Sequence, residues 1–407
     1  MCVVLWRVAP IVVVLTLFAS VARAQSTEGS GTSWLPEETP MRMIHHSVDG
    51  WMVMTHFNAF AQYLHDAGDR GSSQTGSINW LMVMAERSAG GGTFSARGMI
   101  SAEPFTIGGC GYPDLLATGE VCDGESIHDR QHPHDLVMEA AVQYDHALAR
   151  GVRLQLYGGP AGEPALGPVA FMHRISGFAN PLAPIAHHWL DSTHVSYGVA
   201  TAGLYADKWK IEGSAFNGRE PDEDRVGLDL AAMDSWSARV WLLPTRRWAM
   251  QISAGRLHDA EAGHDGSERI DVGRITASAS YHRPTTSGLW ANTIAWGRNH
   301  EAAGESTNAV LAETNLSPND RHAIYGRIEW VEKPAHDLAV EGDGIFTVAK
   351  MQAGYTHFTR PWKKVVGGIG ASMSVGVVPN SLESTYGGRF NPGFSVYLTL
   401  MPAAMRH

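Results

Sequence analysis

Two short stretches of this 407-residue chain concentrate side chains that bind metals. Residues 129–135 are DRQHPHD and residues 187–194 are HHWLDSTH. Proline favours an extended backbone at the residue before it, so His132 and His134 can point the same way. Imidazole nitrogens and carboxylates together bind zinc, copper, nickel or iron. We predict a metal site for copper or zinc, and its candidate ligands are His132, His134, Asp135, His187, His188, Asp191 and His194, with Glu163 and His173 as further ligands or supporting groups.

Two other interpretations of these residues stay open. Buried polar groups need partners, so the same side chains would also suit a hydrogen-bonded network that fixes loops in place. Ser192 and His194 fall in a predicted strand over 192–204, where residues two apart share a face and a serine nucleophile could meet its base. The sequence has no GxSxG-like nucleophile turn, however.

Methionine and histidine are also interleaved near the start of the mature chain. Residues 41–46 are MRMIHH, and Met52, Met54, Met82 and Met84 follow at the spacing of strand residues that share a face. Thioether and imidazole groups form a soft ligand set that favours copper. At strand spacing the same methionines would equally face lipid, so copper contact and lipid contact are alternatives.

The first 24 residues have the features of a secretory signal peptide, with an apolar stretch and small residues at Ala22 and Ala24. Without the two arginines of this leader, 29 basic residues face 41 acidic ones, a net charge of −12. Such a surface argues against nucleic acid as a partner. Cys110 and Cys122 remain, and an even pair in an exported chain predicts a disulfide bond.

Alternation of apolar and polar residues dominates the rest of the chain and is typical of β-strands. Within residues 365–378, Val365, Ile369, Met373 and Val377 share one face, and glycine and serine share the other. About sixteen such segments follow one another, joined by connections that are alternately short and long. This pattern predicts an all-β fold, a transmembrane antiparallel β-barrel with short turns at one end and long loops at the other.

The predicted organisation has one membrane domain. Its divisions are a signal peptide over 1–24, a loose N-terminal lead over 25–48, the outer-membrane β-barrel over 49–402 and a C-terminal tail over 403–407.

The two longest connections, 104–135 and 161–191, contain most of the candidate ligands. The second is rich in proline and apolar residues, whereas disordered segments are polar. We therefore expect both loops to fold inward at the barrel mouth or lumen. The polar strand faces are expected to line that lumen with charges of both signs: Arg97, Glu139, Arg153, Glu212, Arg239, Arg274, Glu313, Arg327, Glu329 and Lys350.

Four stretches resemble a family of uncharacterised Gram-negative outer-membrane β-barrel proteins, and they are DRQHPHD, AGEPALGPVAFMHR, HHWLDSTH and EGSAFNGREPDE. The resemblance runs from Trp51 to Leu400. It implies a barrel in the bacterial outer membrane, and it implies no activity, substrate or ligand.

Three functions fit these features. The first, which we favour, is an outer-membrane channel or transport barrel for small ions or polar solutes, whose loops build a His/Asp-rich constriction that binds a metal. The second is an outer-membrane enzyme that hydrolyses an envelope lipid through Ser192 and His194 or a metal-bound water. The third is a structural or adhesive barrel with a sealed lumen. Outer-membrane lipid is the expected surrounding, and the sequence leaves the oligomeric state open.

Overall fold

The structure is a computed structural model, which describes residues 28–262, 269–286, 288–302 and 306–405. The predicted signal peptide over 1–24 lies outside the described residues. Within these ranges the chain forms nineteen β-strands and three one-turn α-helices. None of the described helices is long and apolar enough to cross a bilayer. The helices are α1 (Glu103–Thr106), α2 (His187–Leu190) and α3 (Glu383–Tyr386).

Sixteen of the described strands form one closed antiparallel barrel, in which β19 pairs with β2. The others are β1, which pairs with the start of β2, and β5 and β6, which form a separate hairpin. The predicted barrel of about sixteen strands is therefore confirmed. The strands are β1 (Ile44–Val48), β2 (Trp51–Asp66), β3 (Ser73–Ala89), β4 (Gly92–Ile100), β5 (Tyr112–Cys122), β6 (Glu125–Gln131), β7 (Val137–Ala147), β8 (Arg153–Gly162), β9 (Ser196–Ala206), β10 (Trp209–Phe216), β11 (Ser235–Leu242), β12 (Trp248–Ala262), β13 (Arg269–Pro284), β14 (Leu289–Glu301), β15 (Ser306–Asn319), β16 (His322–Pro334), β17 (Ile345–Phe358), β18 (Val365–Val377) and β19 (Phe390–Pro402).

Short turns and long loops alternate around the barrel, and they define a short-turn rim and a long-loop rim. Residues 90–91, between β3 and β4, form a short turn. Two long loops exceed thirty residues. The first of these is residues 101–136, between β4 and β7, and we name it the hairpin loop because it contains β5 and β6. The other is residues 163–195, between β8 and β9, and we name it the inner loop.

The two faces of each strand have opposite character because successive residues point to opposite sides. In β16, Ile324 and Ile328 are 50% and 60% exposed on the outside, whereas Arg327 and Glu329 are buried inside. The apolar outer face suits hydrocarbon, and the polar inner face lines the lumen. The predicted lumen charges are buried, apart from the half-buried Arg153: Arg97, Glu139, Glu212, Arg239, Arg274, Glu313, Arg327, Glu329 and Lys350.

The N-terminal segment differs from the loose lead that the sequence predicts over 25–48. Residues 30–36 are buried inside the barrel. The backbone carbonyl of Gly31 accepts a hydrogen bond of 2.7 Å from Arg97, and Trp34 is part of a buried apolar cluster. The reason is that buried charges on the wall need partners. The polar backbone of this segment supplies them.

The hairpin loop folds inward at the long-loop rim. Lys350 of the wall lies 2.5 Å from the carboxylate of Asp114 and donates a 3.0 Å hydrogen bond to the carbonyl of Leu115. The sulfurs of Cys110 and Cys122 are bonded to each other, which ties together the two ends of β5. A buried ion pair therefore holds this loop against the wall, and the disulfide bond fixes the shape of the loop itself.

The inner loop crosses the lumen and is bonded to the opposite wall. Arg327 donates hydrogen bonds to the carbonyls of Leu182 and Ala183, at 3.0 and 2.6 Å. Glu329 accepts one of 3.0 Å from the backbone nitrogen of Ala186. The loop thus fills the interior between the rims. Its apolar side packs in one buried cluster that includes Leu115, Leu116, Ile185, Ala186, Trp189, Leu190, Ala295, Leu311 and Val331.

A glycine in β14 lets the inner loop lie directly against the wall. A Cβ atom at Gly297 would lie 2.1 Å from the carbonyl oxygen of Trp189. That oxygen is a backbone atom and cannot rotate away, so Gly297→Ala is expected to displace the loop and raise the single-channel conductance in a planar bilayer. The control is Gly213→Ala, where the nearest atom to the new Cβ lies 3.4 Å away. Equal conductance in both variants would contradict this account of loop docking.

Candidate functional site

Five of the predicted ligands lie together inside the barrel, and we name them the histidine cluster. His132 and His134 follow β6, His187 and His188 belong to α2, and His194 ends the next 3₁₀ turn. Neighbouring ring centroids are 5.0 to 5.9 Å apart. All five side chains belong to residues that are buried. The hairpin loop and the inner loop thus bring together histidines that are more than fifty positions apart in sequence.

Each imidazole of the cluster has an acceptor at its Nδ1 atom. A hydrogen on Nδ1 fixes the tautomer and leaves a lone pair on Nε2. The five contacts are His132 with Glu120 at 3.1 Å, His134 with Glu103 at 2.9 Å, His187 with Asp191 at 2.8 Å, His188 with Glu220 at 3.0 Å, and His194 with the backbone carbonyl of Asp191 at 2.8 Å.

All five Nε2 atoms of the cluster are buried and have no hydrogen-bond partner. A buried acceptor left in this state costs about 1–3 kcal/mol. Among the wall histidines, His322 is bonded to the hydroxyl of Tyr355 and is only half-buried, whereas His282 is buried, contacts Thr39 through Nδ1 and also has an Nε2 atom without a partner. The cluster therefore presents five nitrogen lone pairs inside the protein.

Burial keeps several of these imidazoles neutral. It lowers the pKa of His187 to about 4, against the opposing effect of Asp191. It also lowers the pKa of His132 and His194 well below the usual range, helped by Arg225 for the former and by His187 for the latter. Neutral imidazole is the form that binds metals, so these residues need not lose a proton at neutral pH.

Asp191 orients two members of the cluster. Its Oδ1 atom accepts from His187, and its Oδ2 atom lies 2.5 Å from Arg174. Arg174 also lies 2.9 Å from Glu313 on the wall. Although burial raises it, the pKa of Asp191 is held well below its usual range by Arg174 and His187. Both carboxylate oxygens are thus engaged in positioning.

Besides Asp191, three predicted ligands lie outside the histidine cluster. Asp135 accepts a hydrogen bond of 3.0 Å from a tyrosine hydroxyl, and Glu163 lies 3.9 Å from an arginine. Burial raises the pKa of Glu163 to about 8. His173 packs against Trp80, with ring centroids 4.7 Å apart. Asp135 and Glu163 thus belong to the hydrogen-bonded and ion-paired groups beside the cluster, and His173 belongs to the apolar packing beside it.

Sequence reasoning missed the carboxylates that hold the cluster. Glu103 and Glu120 belong to α1 and β5 of the hairpin loop, Glu220 follows β10, and no local pattern links them to histidines. Glu120 also lies 2.5 Å from Arg225, which fixes it in turn. The one available signal was Glu220, which falls in the EGSAFNGREPDE stretch.

A tighter group of possible ligands lies at one edge of the cluster. His188, Glu220 and Glu261 each place one ligand atom within 4.8 Å of the others. The same three residues line a cavity of about 510 Å³ at the long-loop rim, together with Glu120. A second large cavity, of about 380 Å³, lies at the short-turn rim and is lined by residues of the 284–288 turn. The histidine cluster thus adjoins an acidic cavity at the long-loop rim.

The serine of the enzyme hypothesis is placed differently from the prediction. Residues 192–194 form a 3₁₀ turn, and the strand predicted over 192–204 begins only at Ser196. The hydroxyl of Ser192 accepts a hydrogen bond of 2.8 Å from Arg274. In the described part of the chain, no hydrogen bond joins Ser192 to His194.

Comparisons with known proteins agree with this architecture. No protein-family model and no curated protein matches the chain. Among solved structures, OmpF of Salmonella typhi matches with a TM-score of 0.53 and 9% identity, covering 88% of this chain and all of that one. An anion-selective porin of Comamonas acidovorans gives 0.50 and 10% over 86% of this chain and 99% of its own. OmpT of Vibrio cholerae gives 0.50 and 8% over 88% and 100%.

These likenesses concern the fold. Together with the closed sixteen-stranded wall, they define the class: the chain is an outer-membrane β-barrel protein of porin-like architecture. Its location is the bacterial outer membrane.

Proposed function

We propose that this protein is an outer-membrane channel for a transition-metal ion, zinc or copper, which the histidine cluster binds as it passes. The five buried Nε2 atoms without a hydrogen-bond partner carry the proposal. A network that only fixes the loops accounts for the Nδ1 contacts but leaves each Nε2 unsatisfied. Metal-binding histidines commonly donate their other nitrogen to a carboxylate or carbonyl, as all five do in this protein.

The acidic cavity supports entry of a cation at the long-loop rim. Glu120, Glu220 and Glu261 line it beside His188. Walls of one charge sign raise the local concentration of ions of the opposite sign. An ion would therefore meet His188 and the two carboxylates within 4.8 Å of it first, and then the remaining imidazoles of the cluster.

The filled lumen supports a narrow route rather than a wide, unselective pore. The N-terminal segment and the inner loop occupy the interior and are bonded to wall charges such as Arg97 and Arg327. A dehydrated ion that exchanges ligands can move through such an interior, whereas a larger hydrated solute needs the loop to move.

A hydrolase that uses Ser192 is less well supported, since its hydroxyl is bonded to Arg274. A hydrolase that uses a metal-bound water would need the same metal site. Turnover of an envelope lipid by the zinc-loaded barrel would favour that second function.

Zinc binding to the refolded barrel in detergent tests the proposal, with His187→Ala/His194→Ala as the variant and His146→Gln as the control. We expect the wild type and the control to bind zinc, and the variant to bind it at least about tenfold more weakly, the loss that even an outer-shell change causes. In a planar bilayer the wild type should also carry a cation current that zinc modulates. Failure of the wild type to bind either zinc or cuprous ion would overturn the proposal.

A further inference from the structure

Methionine is concentrated on one side of the barrel interior. Two small adjoining cavities, of about 60 and 20 Å³, lie between the short-turn rim and the histidine cluster, and eight of the sixteen methionines line them. Met82 belongs to both cavities. Cavities of this size hold only a few waters or an ion without its hydration shell. The eight residues are Met41, Met43, Met54, Met82, Met84, Met99, Met138 and Met172.

The buried methionines are unevenly distributed among the apolar clusters of the interior. Methionine fills irregular gaps in any core, and such gaps occur in every apolar cluster. In the described residues, the cluster around Trp80 contains Met82, Met99 and Met138, while the five other clusters together contain only Met401. The thioethers are therefore gathered in one place.

The sequence leaves copper contact and lipid contact as alternatives for these methionines. Their inward position rules out lipid contact for two of them. Met54 and Met82 are 4% and 3% exposed and face the interior, so the alternative of lipid contact is wrong for them. Met351 and Met373, by contrast, are 46% and 72% exposed on the outer face. The chain thus has a matched set of lipid-facing methionines for comparison.

Imidazoles connect the methionine cavities to the histidine cluster. His56 lines the larger cavity, and His173 and His194 line the smaller one. The rings of His56 and His173 are 5.7 Å apart, and both pack against Trp80. Since His194 belongs to the histidine cluster, the two cavities and the cluster adjoin one another.

The carboxylates of the smaller cavity already have cationic or hydroxyl partners. Glu139 accepts a hydrogen bond of 2.7 Å from Tyr157 and lies 3.9 Å from Arg97. Glu163 lies 3.9 Å from Arg239. One Glu163 oxygen has no hydrogen-bond partner and remains a hard donor. The thioether sulfurs and the imidazoles are the soft and intermediate donors of this cavity.

We propose that the two methionine cavities and the histidine cluster form one route through the barrel for a soft monovalent metal ion, which in a cell is cuprous copper. The inference rests on the proposed function and narrows the choice of ion from zinc or copper to Cu(I), because thioether ligands select Cu(I) over hard cations. The ion moves by ligand exchange between the imidazoles of the cluster and the sulfurs of the cavities, with no change of oxidation state.

Silver(I), which has the same ligand preference and does not change oxidation state, is the probe for the test. The refolded barrel is titrated with silver(I). The wild type is compared with Met82→Leu and with the triple variant Met54→Leu/Met82→Leu/Met99→Leu. The control is Met351→Leu/Met373→Leu. Leucine conserves volume, so these variants should fold. We expect the triple variant to bind silver(I) at least about tenfold more weakly, to lose sulfur scatterers from its silver X-ray absorption spectrum, and to bind zinc as the wild type does.

The outcomes separate the two proposals. Unchanged silver(I) binding in the folded triple variant, with zinc binding intact, overturns the methionine route alone. A wild type that binds neither ion overturns the proposed function as well. If the triple variant does not fold, Met82→Leu decides, because it alters the residue shared by both cavities: unchanged silver(I) affinity and sulfur scattering overturn the route, and a reduction in either supports it.

Discussion

Replacing Arg174 by methionine is expected to lower the free energy of unfolding of the barrel by about 3–5 kcal/mol, the usual cost of removing one partner from a buried ion pair. Arg174 is buried and bridges two carboxylates, Asp191 at 2.5 Å and Glu313 at 2.9 Å. The variant leaves Asp191 buried without its cation and leaves Glu313 with Arg327 alone, 3.5 Å away. Urea unfolding in detergent micelles, followed by heat-modifiable electrophoretic mobility, measures the loss.

Two further variants test whether the loss of stability comes from the buried ion pairs. Arg298→Met removes an arginine from the exposed outer face and should change stability little. Adding Glu313→Gln to Arg174→Met removes one buried carboxylate that has lost its ion pair with Arg174. The double variant should therefore recover part of the lost free energy of unfolding. If Arg174→Met proves as stable as Arg298→Met, the ion pairs of Arg174 with Asp191 and Glu313 do not anchor the inner loop.

Asp191→Asn is expected to weaken zinc binding by about 10–100-fold, as changes to groups that orient metal ligands do. The aspartate accepts the Nδ1 hydrogen of His187, so its negative charge makes that imidazole a better donor through Nε2. Asparagine keeps the size and loses the charge. Competition of the refolded barrel with a zinc chelator gives the affinity.

Glu313→Gln is the matched control for this prediction. It also removes a carboxylate from Arg174, but its side chain contacts Arg174, Ser176 and Arg327 and no histidine. A general loss of loop packing would weaken zinc binding in both variants. Equal affinities in the two would therefore count against an orienting role for Asp191.

The barrel was predictable because its signal is local. A strand shows its two faces within a few residues, as Arg327 and Ile328 do, and each turn lies next to the strands it joins. The prediction that both long loops fold inward used similar information, namely the apolar and proline-rich composition of residues 161–191. These features need no knowledge of distant partners.

The parts that escaped prediction depend on distant partners. Glu103 contacts His134 from 31 positions away, and Gly31 contacts Arg97 from 66 positions away. No periodic pattern marks such pairs. For the same reason the N-terminal segment was expected to be loose, since its own composition does not show that wall charges will bind it.

The enclosed N-terminal segment has a consequence for biogenesis. It precedes β2, and β2 is one side of the seam that β19 completes. Its wall partner Arg97 lies on β4, two strands along from β2, so the segment can reach that partner as soon as β2, β3 and β4 have paired.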